Sequence, residues 1–190
     1  MTSATKILRQ EHDTILEMIG SLEAIIHRLD SGDTIPVEAL NGLTEFFVLF
    51  ADRSHHGKEE DLLFPLMERK GVPRSGGPLG CMLAEHDEGR GYIRTMRQDA
   101  EGCARGDESD RKRWTDAARG YATLLRNHIW KENEILFQIA ERVLSAEEQA
   151  SLAEQFAQIQ QEKLDKETEA RLFESARKIA REFAATAVAK

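Results

Sequence analysis

The sequence is poor in the residues that β-sheet and disulfide-bonded proteins need. It has four prolines, two cysteines and 6% aromatic residues in 190 positions. This composition does not suit a sandwich or barrel of many short strands. Cys81 and Cys103 fall on one predicted helix, about 33 Å apart at about 1.5 Å per residue, which is too far for a disulfide. The sequence therefore predicts an all-α protein with reduced thiols.

Long apolar runs and an excess of basic residues are also missing. No run approaches the roughly 18 residues that a membrane-spanning helix needs, and the first residues show no signal-peptide pattern. The net charge is −8 at pH 7, whereas binding to a phosphate backbone requires a basic face. We therefore expect a cytoplasmic protein that binds neither a membrane nor nucleic acid.

Apolar residues recur at alternating spacings of three and four in four segments, which is typical of amphipathic helices. These predicted helices cover about residues 4–29, 36–65, 79–103 and 111–143. Glycines and prolines make residues 71–80 the clearest loop, and Pro65 should kink or end the second helix. The pattern predicts an up-down-up-down four-helix bundle over residues 1–144.

Residues 145–190 are predicted to form a C-terminal helical extension. Ser145 and Glu148 have the spacing of a capping box, and a further amphipathic segment runs over about residues 166–187. Its apolar stripe should pack on the bundle or on a second subunit, so a homodimer through these helices is one expectation.

Each of the four predicted bundle helices carries a histidine on its apolar stripe, and two of these histidines are followed one turn later by a glutamate on the same face. Counted from the turns, the histidines of each antiparallel pair match in height within about one residue, or roughly 1.5 Å. An unpaired buried carboxylate costs several kcal/mol, so cations between these side chains are the simplest explanation. The predicted metal ligands are His12, His55, Glu59, His86, His128 and Glu132.

The second helix offers a competing pair, His56 and Glu60, one position further along the chain. In a regular helix this pair continues a mostly polar line through Asp52. We therefore expect His55 and Glu59 to face inward, and His56 and Glu60 to be solvated or to support the ligands from outside.

The donor set contains imidazoles and carboxylates but no thiolate. Structural zinc favours cysteine and calcium favours oxygen alone, whereas histidine–carboxylate sites with room for a further ligand suit iron or manganese. Because carboxylates can bridge ions, the set predicts a site for two metal ions.

The sequence resembles the hemerythrin-like, or HHE cation-binding, family over about residues 4–143. The resemblance rests on Glu11-His12, His55-x-x-x-Glu59-Glu60-x-x-Leu63-Phe64-Pro65, Glu85-His86-Asp87 and His128-x-x-x-Glu132. It implies a non-haem site of two iron ions (Fe2+/Fe3+) in a four-helix bundle, with carboxylate bridges and an oxo or hydroxo bridge. It further implies His12 and His55 on one iron, His86 and His128 on the other, and Glu59 and Glu132 as bridges.

One departure from the family is visible in the sequence. Oxygen-carrying members have five histidines, two of them one turn apart on the third helix, and here Met82 stands one turn before His86. This predicts a more open second iron, which favours redox or NO chemistry over reversible O2 transport. The expected function is binding of O2, NO or peroxide for sensing, binding or detoxification, and whether the protein is an enzyme stays open. The alternatives are an iron-centre repair or iron-delivery protein, and a helical interaction module with a structural metal site.

Overall fold

The computed structural model of the protein describes residues 3–184, and this part of the chain forms six helical rods joined by short connections. The rods are α1 (Ala4–Asp30), α2 (37–69), α3 (Pro78–Arg105), α4 (108–143), α5 (Ala146–Lys163) and α6 (Lys166–Ala184). No strand occurs among the described residues, so the predicted all-α class is confirmed. Within the same residues, no helix has the length and apolarity needed to cross a bilayer.

Local sequence sets the ends of these rods. The side chain of Ser3 accepts a hydrogen bond from the backbone N–H of Lys6 at the start of α1. Gly106 ends α3 with a φ of 87°, in the left-handed region that glycine tolerates best. Ser145 and Glu148 form the predicted capping box. Cys81 and Cys103 both lie on α3, and both are free thiols, as expected.

Rods α2 and α4 are not regular α-helices throughout. In α2, the α-helical segments Val37–Phe46 and Phe64–Arg69 flank the π-helical segments Phe47–His56 and Glu59–Leu63. In α4, the π-helical segment Glu132–Leu136 separates the α-helices Glu108–Lys131 and Phe137–Val143. Hydrogen bonds to the carbonyl five residues back mark these turns, such as Phe64 N–H to Glu59 and Phe137 N–H to Glu132. Since a π turn holds more residues than an α turn, the apolar ladder changes face at each of these segments.

The π turn at Glu59–Leu63 directly precedes Pro65. A proline ring clashes with the carbonyl one α-turn earlier and removes a backbone donor, and a widened turn relieves that conflict. The helix therefore does not end at Pro65, contrary to one of the two predicted outcomes, and it continues to Arg69.

The first four rods surround the interior of the protein. Rod α1 contacts α2 and α4, and α3 also contacts α2 and α4. This neighbour order suits a four-helix bundle, although the up-down-up-down topology itself stays a prediction, as does the boundary between bundle and extension at residue 145. Rods α5 and α6 both pack against α1 and α2.

The apolar stripe of α6 is buried on the first two rods. Leu172, Ile179 and Phe183 belong to the buried core there. A Cβ atom at Gly42 of α2 would lie 2.9 Å from Ser175 Oγ, so glycine at this position allows α6 to approach closely. Residues 185–187 of the predicted segment lie outside the described residues, and a homodimer through these helices stays a prediction.

Two apolar clusters fill the interior, and a polar layer separates them. On α1, Leu8 belongs to one cluster and Ile15 to the other, with His12 between them. The same order recurs on α3, where Met82 and Ile93 lie on either side of His86. Every predicted ligand lies in this polar layer.

Replacing Leu172, which is fully buried, tests whether α6 is an integral part of the fold. Leu172→Ala should lower the free energy of unfolding by about 2–5 kcal/mol, because it leaves a cavity in the main apolar cluster. Urea unfolding followed by circular dichroism should still show one cooperative transition. The matched control is Lys178→Ala on the exposed side of the same helix, with an expected change within about 0.5 kcal/mol. Equal stability of the two variants would mean that α6 does not dock on the bundle in solution.

Candidate metal centre

Buried histidines and glutamates form two groups in the polar layer. One group consists of His12, His55, Glu59 and Glu132, and the other of His56, Glu59, His86 and His128. Within each group, one ligand atom from every residue lies within 4.8 Å of the others. All six predicted residues are therefore brought together, Glu59 belongs to both groups, and one histidine that was not predicted joins them.

The prediction that His56 faces away from the site is wrong. Its side chain is only 5% exposed, and its ring stacks on His86 with the centroids 3.8 Å apart. The reason is the π-helical segment Phe47–His56, whose wider turns bring two successive residues, His55 and His56, onto the inward arc of α2. The two adjacent histidines were visible in the sequence, but a regular α-helix would let only one of them face the interior.

His56 supplies a third imidazole to the group of His86 and His128. The expectation of a more open second iron therefore loses the reason given for it, and it stays a prediction. Met82, at the position where the third helix of oxygen-carrying relatives has a histidine, lies in the apolar cluster below the site. The fifth histidine is present, and it comes from the second rod.

The two helical hairpins carry the same arrangement of residues. Glu11-His12 on α1 corresponds to Glu85-His86 on α3, and His55 with Glu59 on α2 corresponds to His128 with Glu132 on α4. Glu59 and Glu132 are each the first residue of a π-helical segment. The two histidine–glutamate pairs were visible in the sequence, whereas the correspondence of the whole hairpins was not predicted.

Every histidine of the site has an oxygen facing its Nδ1 atom. The distances are 2.8 Å from His55 to Glu11, 2.6 Å from His86 to Glu60, 2.9 Å from His128 to Glu85, 2.9 Å from His12 to Asn133 and 3.4 Å from His56 to Asp52. The first four contacts form a closed ring, called the Nδ1 ring below. Each rod supplies the acceptor for a histidine of the next rod, and Asn133 of α4 supplies the acceptor for His12 of α1. Such acceptors fix the Nδ1–H tautomer and leave the Nε2 lone pair facing the centre.

One further feature, a lysine beside the site, repeats in both hairpins. Lys58 donates to Glu11, and Lys131 donates to Glu85, so each lysine neutralises a carboxylate that orients a histidine. The sequence contained the signal, since lysine directly precedes the buried glutamate in both copies. A supporting role was one of the two expectations for Glu60, and the structure places Glu60, like Glu85, against a histidine of the site.

Phenylalanines close the site from the side of the smaller apolar cluster. Phe64 stacks on His86 with the ring centroids 6.0 Å apart, and Phe137 stacks on His12 at 5.4 Å. Each follows a buried leucine at the end of a π turn. These rings limit the orientations of the imidazoles and keep water away from them.

The centre of the site has acceptors facing acceptors. The Nε2 atoms of His86 and His128 lie 3.1 Å apart. The carboxylate oxygens of Glu59 and Nε2 of His56 are buried and have no hydrogen-bond partner among the described residues. The oxygens of Glu132 lie 3.1 Å from Nε2 of His12 and 3.3 Å from Nε2 of His128. Buried polar atoms are seldom left unpaired, and cations between these lone pairs would satisfy them. The donors therefore fit a pair of metal ions.

Burial and neighbouring charges set the protonation states of the protein without metal. Burial lowers the pKa of His55 to about 4 and that of His56 well below its usual value. Burial, aided by the nearby carboxylate of Glu132, raises the pKa of Glu59 well above its usual value. Burial would also raise the pKa of Glu132, but His128 and His12 hold it well below the usual range. Burial opposes the charge on His128, yet Glu132 and Glu85 raise the pKa of His128 to about 9. A proton thus compensates part of the charge that a metal would balance.

Little free space remains beside the site. A cavity of about 10 Å³ lies next to His56, His86 and His128, about the volume that one water molecule needs. Gly89 borders it, but the ring of Tyr121 covers the glycine, 3.4 Å from where a Cβ atom would stand. Tyr121 belongs to the larger apolar cluster. A ligand larger than a water molecule would therefore need some rearrangement of these side chains.

Fold and site together define an all-helical protein with a buried histidine–carboxylate centre that could hold cations. The chain belongs to the Hemerythrin HHE cation binding domain family, whose sequence model matches residues 3–140.

Among curated proteins, the uncharacterised protein Rv1995 of Mycobacterium tuberculosis is 24% identical over 154 residues, which cover 81% of this chain and 60% of the relative. The iron–sulfur cluster repair protein YtfE of Escherichia coli O139:H28 is 29% identical over 136 residues, which cover 69% of this chain and 61% of the relative. The chain thus spans about three fifths of the length of these relatives. No solved structure matches it.

In protein kept free of metal by a chelator, Glu59→Gln and Glu60→Gln should change the free energy of unfolding in opposite directions. Because burial raises the pKa of Glu59 in the folded state, its ionisation destabilises the fold as the pH rises above the ordinary value of 4.5. Glu59→Gln should therefore raise the free energy of unfolding at neutral pH by about 1–3 kcal/mol. The gain should shrink as the pH falls towards the ordinary carboxyl pKa.

The matched variant is Glu60→Gln. Glu60 is partly buried, but His86 and Arg90 hold its pKa below the usual value. Its charge therefore stabilises the fold at neutral pH, and that contribution is lost as the pH falls through the lowered pKa. Glu60→Gln should lower the stability at neutral pH, as measured by denaturant unfolding over a pH series. A shift of the same sign in both variants would contradict the assignment of Glu59 as the unpaired carboxylate.

Proposed function

We propose that the protein binds two iron ions at this centre and uses them to bind a small ligand, O2, NO or peroxide. The observation that carries the proposal is the pair of buried groups that share Glu59, with carboxylate oxygens and imidazole nitrogens left unpartnered between them. Membership of a cation-binding family supports it. A relative named as an iron–sulfur cluster repair protein supports iron as the metal.

The donor chemistry assigns each residue a part. His12 and His55 would hold one ion, His56, His86 and His128 the other, and Glu59 and Glu132 would lie between the two. Imidazole and carboxylate donors without thiolate suit iron or manganese better than structural zinc or calcium. Bound iron would supply the electrons and the coordination position that a small ligand needs.

The side chains around the ions have defined tasks. The carboxylates and the amide of the Nδ1 ring orient the imidazoles and keep them basic towards the metal. The stacked rings of Phe64 and Phe137 exclude bulk water. Burial keeps His55 and His56 neutral near pH 7, which is the form that binds a metal.

The two halves of the site differ in their imidazoles and in free space. Ile129 stands at the position of the second hairpin that corresponds to His56 in the first, and it is buried. The His12/His55 half therefore has one imidazole fewer, whereas the small cavity lies beside the other half. An external ligand would take the coordination position that the missing imidazole leaves. Redox or NO chemistry was favoured over O2 binding because a fifth histidine was missing. The structure brings His56 into the site, so that argument no longer applies.

Iron-centre repair or iron delivery is the second candidate. It rests on the likeness to YtfE, which is named for iron–sulfur cluster repair. The third candidate, an interaction module, would need the apolar stripe of α6 to be free for a partner. That stripe is buried on the bundle, so this candidate has the least support.

Metal loading tests the proposal directly. The full chain, loaded with Fe2+ without oxygen, should bind about two iron ions. Separate exposure to O2, NO and peroxide should then give distinct visible spectra for any ligand that binds. Protein that holds far less than two equivalents, or a spectrum that none of the three ligands changes, would contradict it. Iron transfer to a damaged iron–sulfur protein without binding of any of these ligands would favour the second candidate.

His56 provides a test of the ligand set. His56→Ala should reduce the iron content from about two ions to about one, because only the three-histidine half loses an imidazole. The matched control, His27→Ala, removes an exposed histidine of α1 and should leave both ions bound. An unchanged content in His56→Ala would mean that this ring only stacks on His86.

A further inference from the structure

A lysine at the edge of the site is covered by the C-terminal extension. Lys58 is fully buried, with 0% of its surface exposed. Its Nζ atom donates to Glu11, the acceptor for His55, and to Oε1 of Gln160 at 3.0 Å. Gln160 lies on α5, beyond the segment that matches the family.

The corresponding lysine of the second hairpin lacks this cover. Lys131 donates to Glu85, which orients His128, and 29% of its side chain remains exposed. Water can therefore complete the hydrogen bonding of Lys131. The buried Lys58 depends on protein oxygens, because an ammonium group with unsatisfied donors is costly to bury.

Helix α5 approaches this part of α2 closely. A Cβ atom at Gly57 would lie 2.8 Å from Nζ of Lys163, which also contacts Asp61 Oδ2 at 2.5 Å. The corresponding residue of the second hairpin is Trp130, which is 59% exposed. Gly57 thus leaves room for the side chain of Lys163 at the end of α5, and the exposed Trp130 has no such cover.

We propose that α5 tunes the His12/His55 half of the metal centre, with Gln160 as a positioning residue. The inference rests on the proposed function. Gln160 keeps the Lys58 ammonium against Glu11, and Glu11 in turn fixes the Nδ1 side of His55. Without Gln160, the ammonium turns towards water and draws Glu11 with it, so that His55 loses its orientation. In the other half, the interactions that link Lys131, Glu85 and His128 involve no residue of α5.

The test compares Gln160→Met with wild type in the full chain. Stepwise anaerobic titration with Fe2+ against a competing chelator measures the affinity of each ion. Gln160→Met should weaken one ion by about tenfold to a hundredfold, the range for loss of a group that orients a ligand, and leave the other unchanged. In Mössbauer spectra, only one of the two iron signals should change.

Two further variants separate positioning from general stability. Glu169→Gln also disturbs a hydrogen bond of Gln160, since Nε2 of Gln160 donates to Glu169 at 2.6 Å, but it leaves the contact with Lys58 in place. Both ions should then bind as in wild type. Gln160→Glu retains an acceptor for Lys58 and should restore most of the lost affinity.

Several results would overturn the inference. They are unchanged binding in Gln160→Met, equal weakening of both ions, and equal effects of Gln160→Met and Glu169→Gln. Circular dichroism of the metal-free variants shows whether each is folded before the comparison is made. The wild-type chain is titrated first, because its failure to bind iron would refute the proposed function itself.

Discussion

Two carboxylates buried side by side, Glu59 and Glu132, impose the constraint on which the rest of the structure depends. Burial and the neighbouring carboxylate of Glu132 raise the pKa of Glu59 well above its usual value, so the pair is costly to ionise together without a cation. Lysine and arginine side chains neutralise the carboxylates of the Nδ1 ring, which limits the negative charge around this pair. Because the ring runs through all four rods, the register of the bundle is tied to the chemistry of the site.

Much of the site could be predicted from sequence because burial selects residue types so strongly. A glutamate such as Glu59 on an apolar stripe has few explanations, and equal distances from the turns place His12, His55, His86 and His128 together. The position of His56 could not be predicted in this way, since the argument assumed a constant 3.6-residue period. The π turns break that period, and no residue type specifies a π turn as clearly as glycine or proline specifies a loop. The choice between a kink and an end at Pro65 stayed open for the same reason, and the helix continues to Arg69.

The two hairpins repeat one design, and the departures from the repeat are informative. Where His56 supplies an imidazole, the second copy has Ile129, which removes a donor from the other half. Where Gly57 admits α5, the second copy has the exposed Trp130. Each departure changes one contact and leaves the Nδ1 ring intact. The halves can therefore differ in ligand number and in cover while they keep the same geometry of support.

The ring itself carries a further asymmetry. Carboxylates orient His55, His86 and His128, whereas the amide of Asn133 orients His12. A carboxylate acceptor makes an imidazole a stronger donor to a metal than a neutral amide does. The weaker donor thus belongs to the half that also has one imidazole fewer. If iron occupies both positions, the ion on His12 and His55 has one imidazole fewer, and one of its two imidazoles is the weaker donor. That same half is the one that α5 covers through Lys58, so the differences between the halves and the contact with the extension fall at one place.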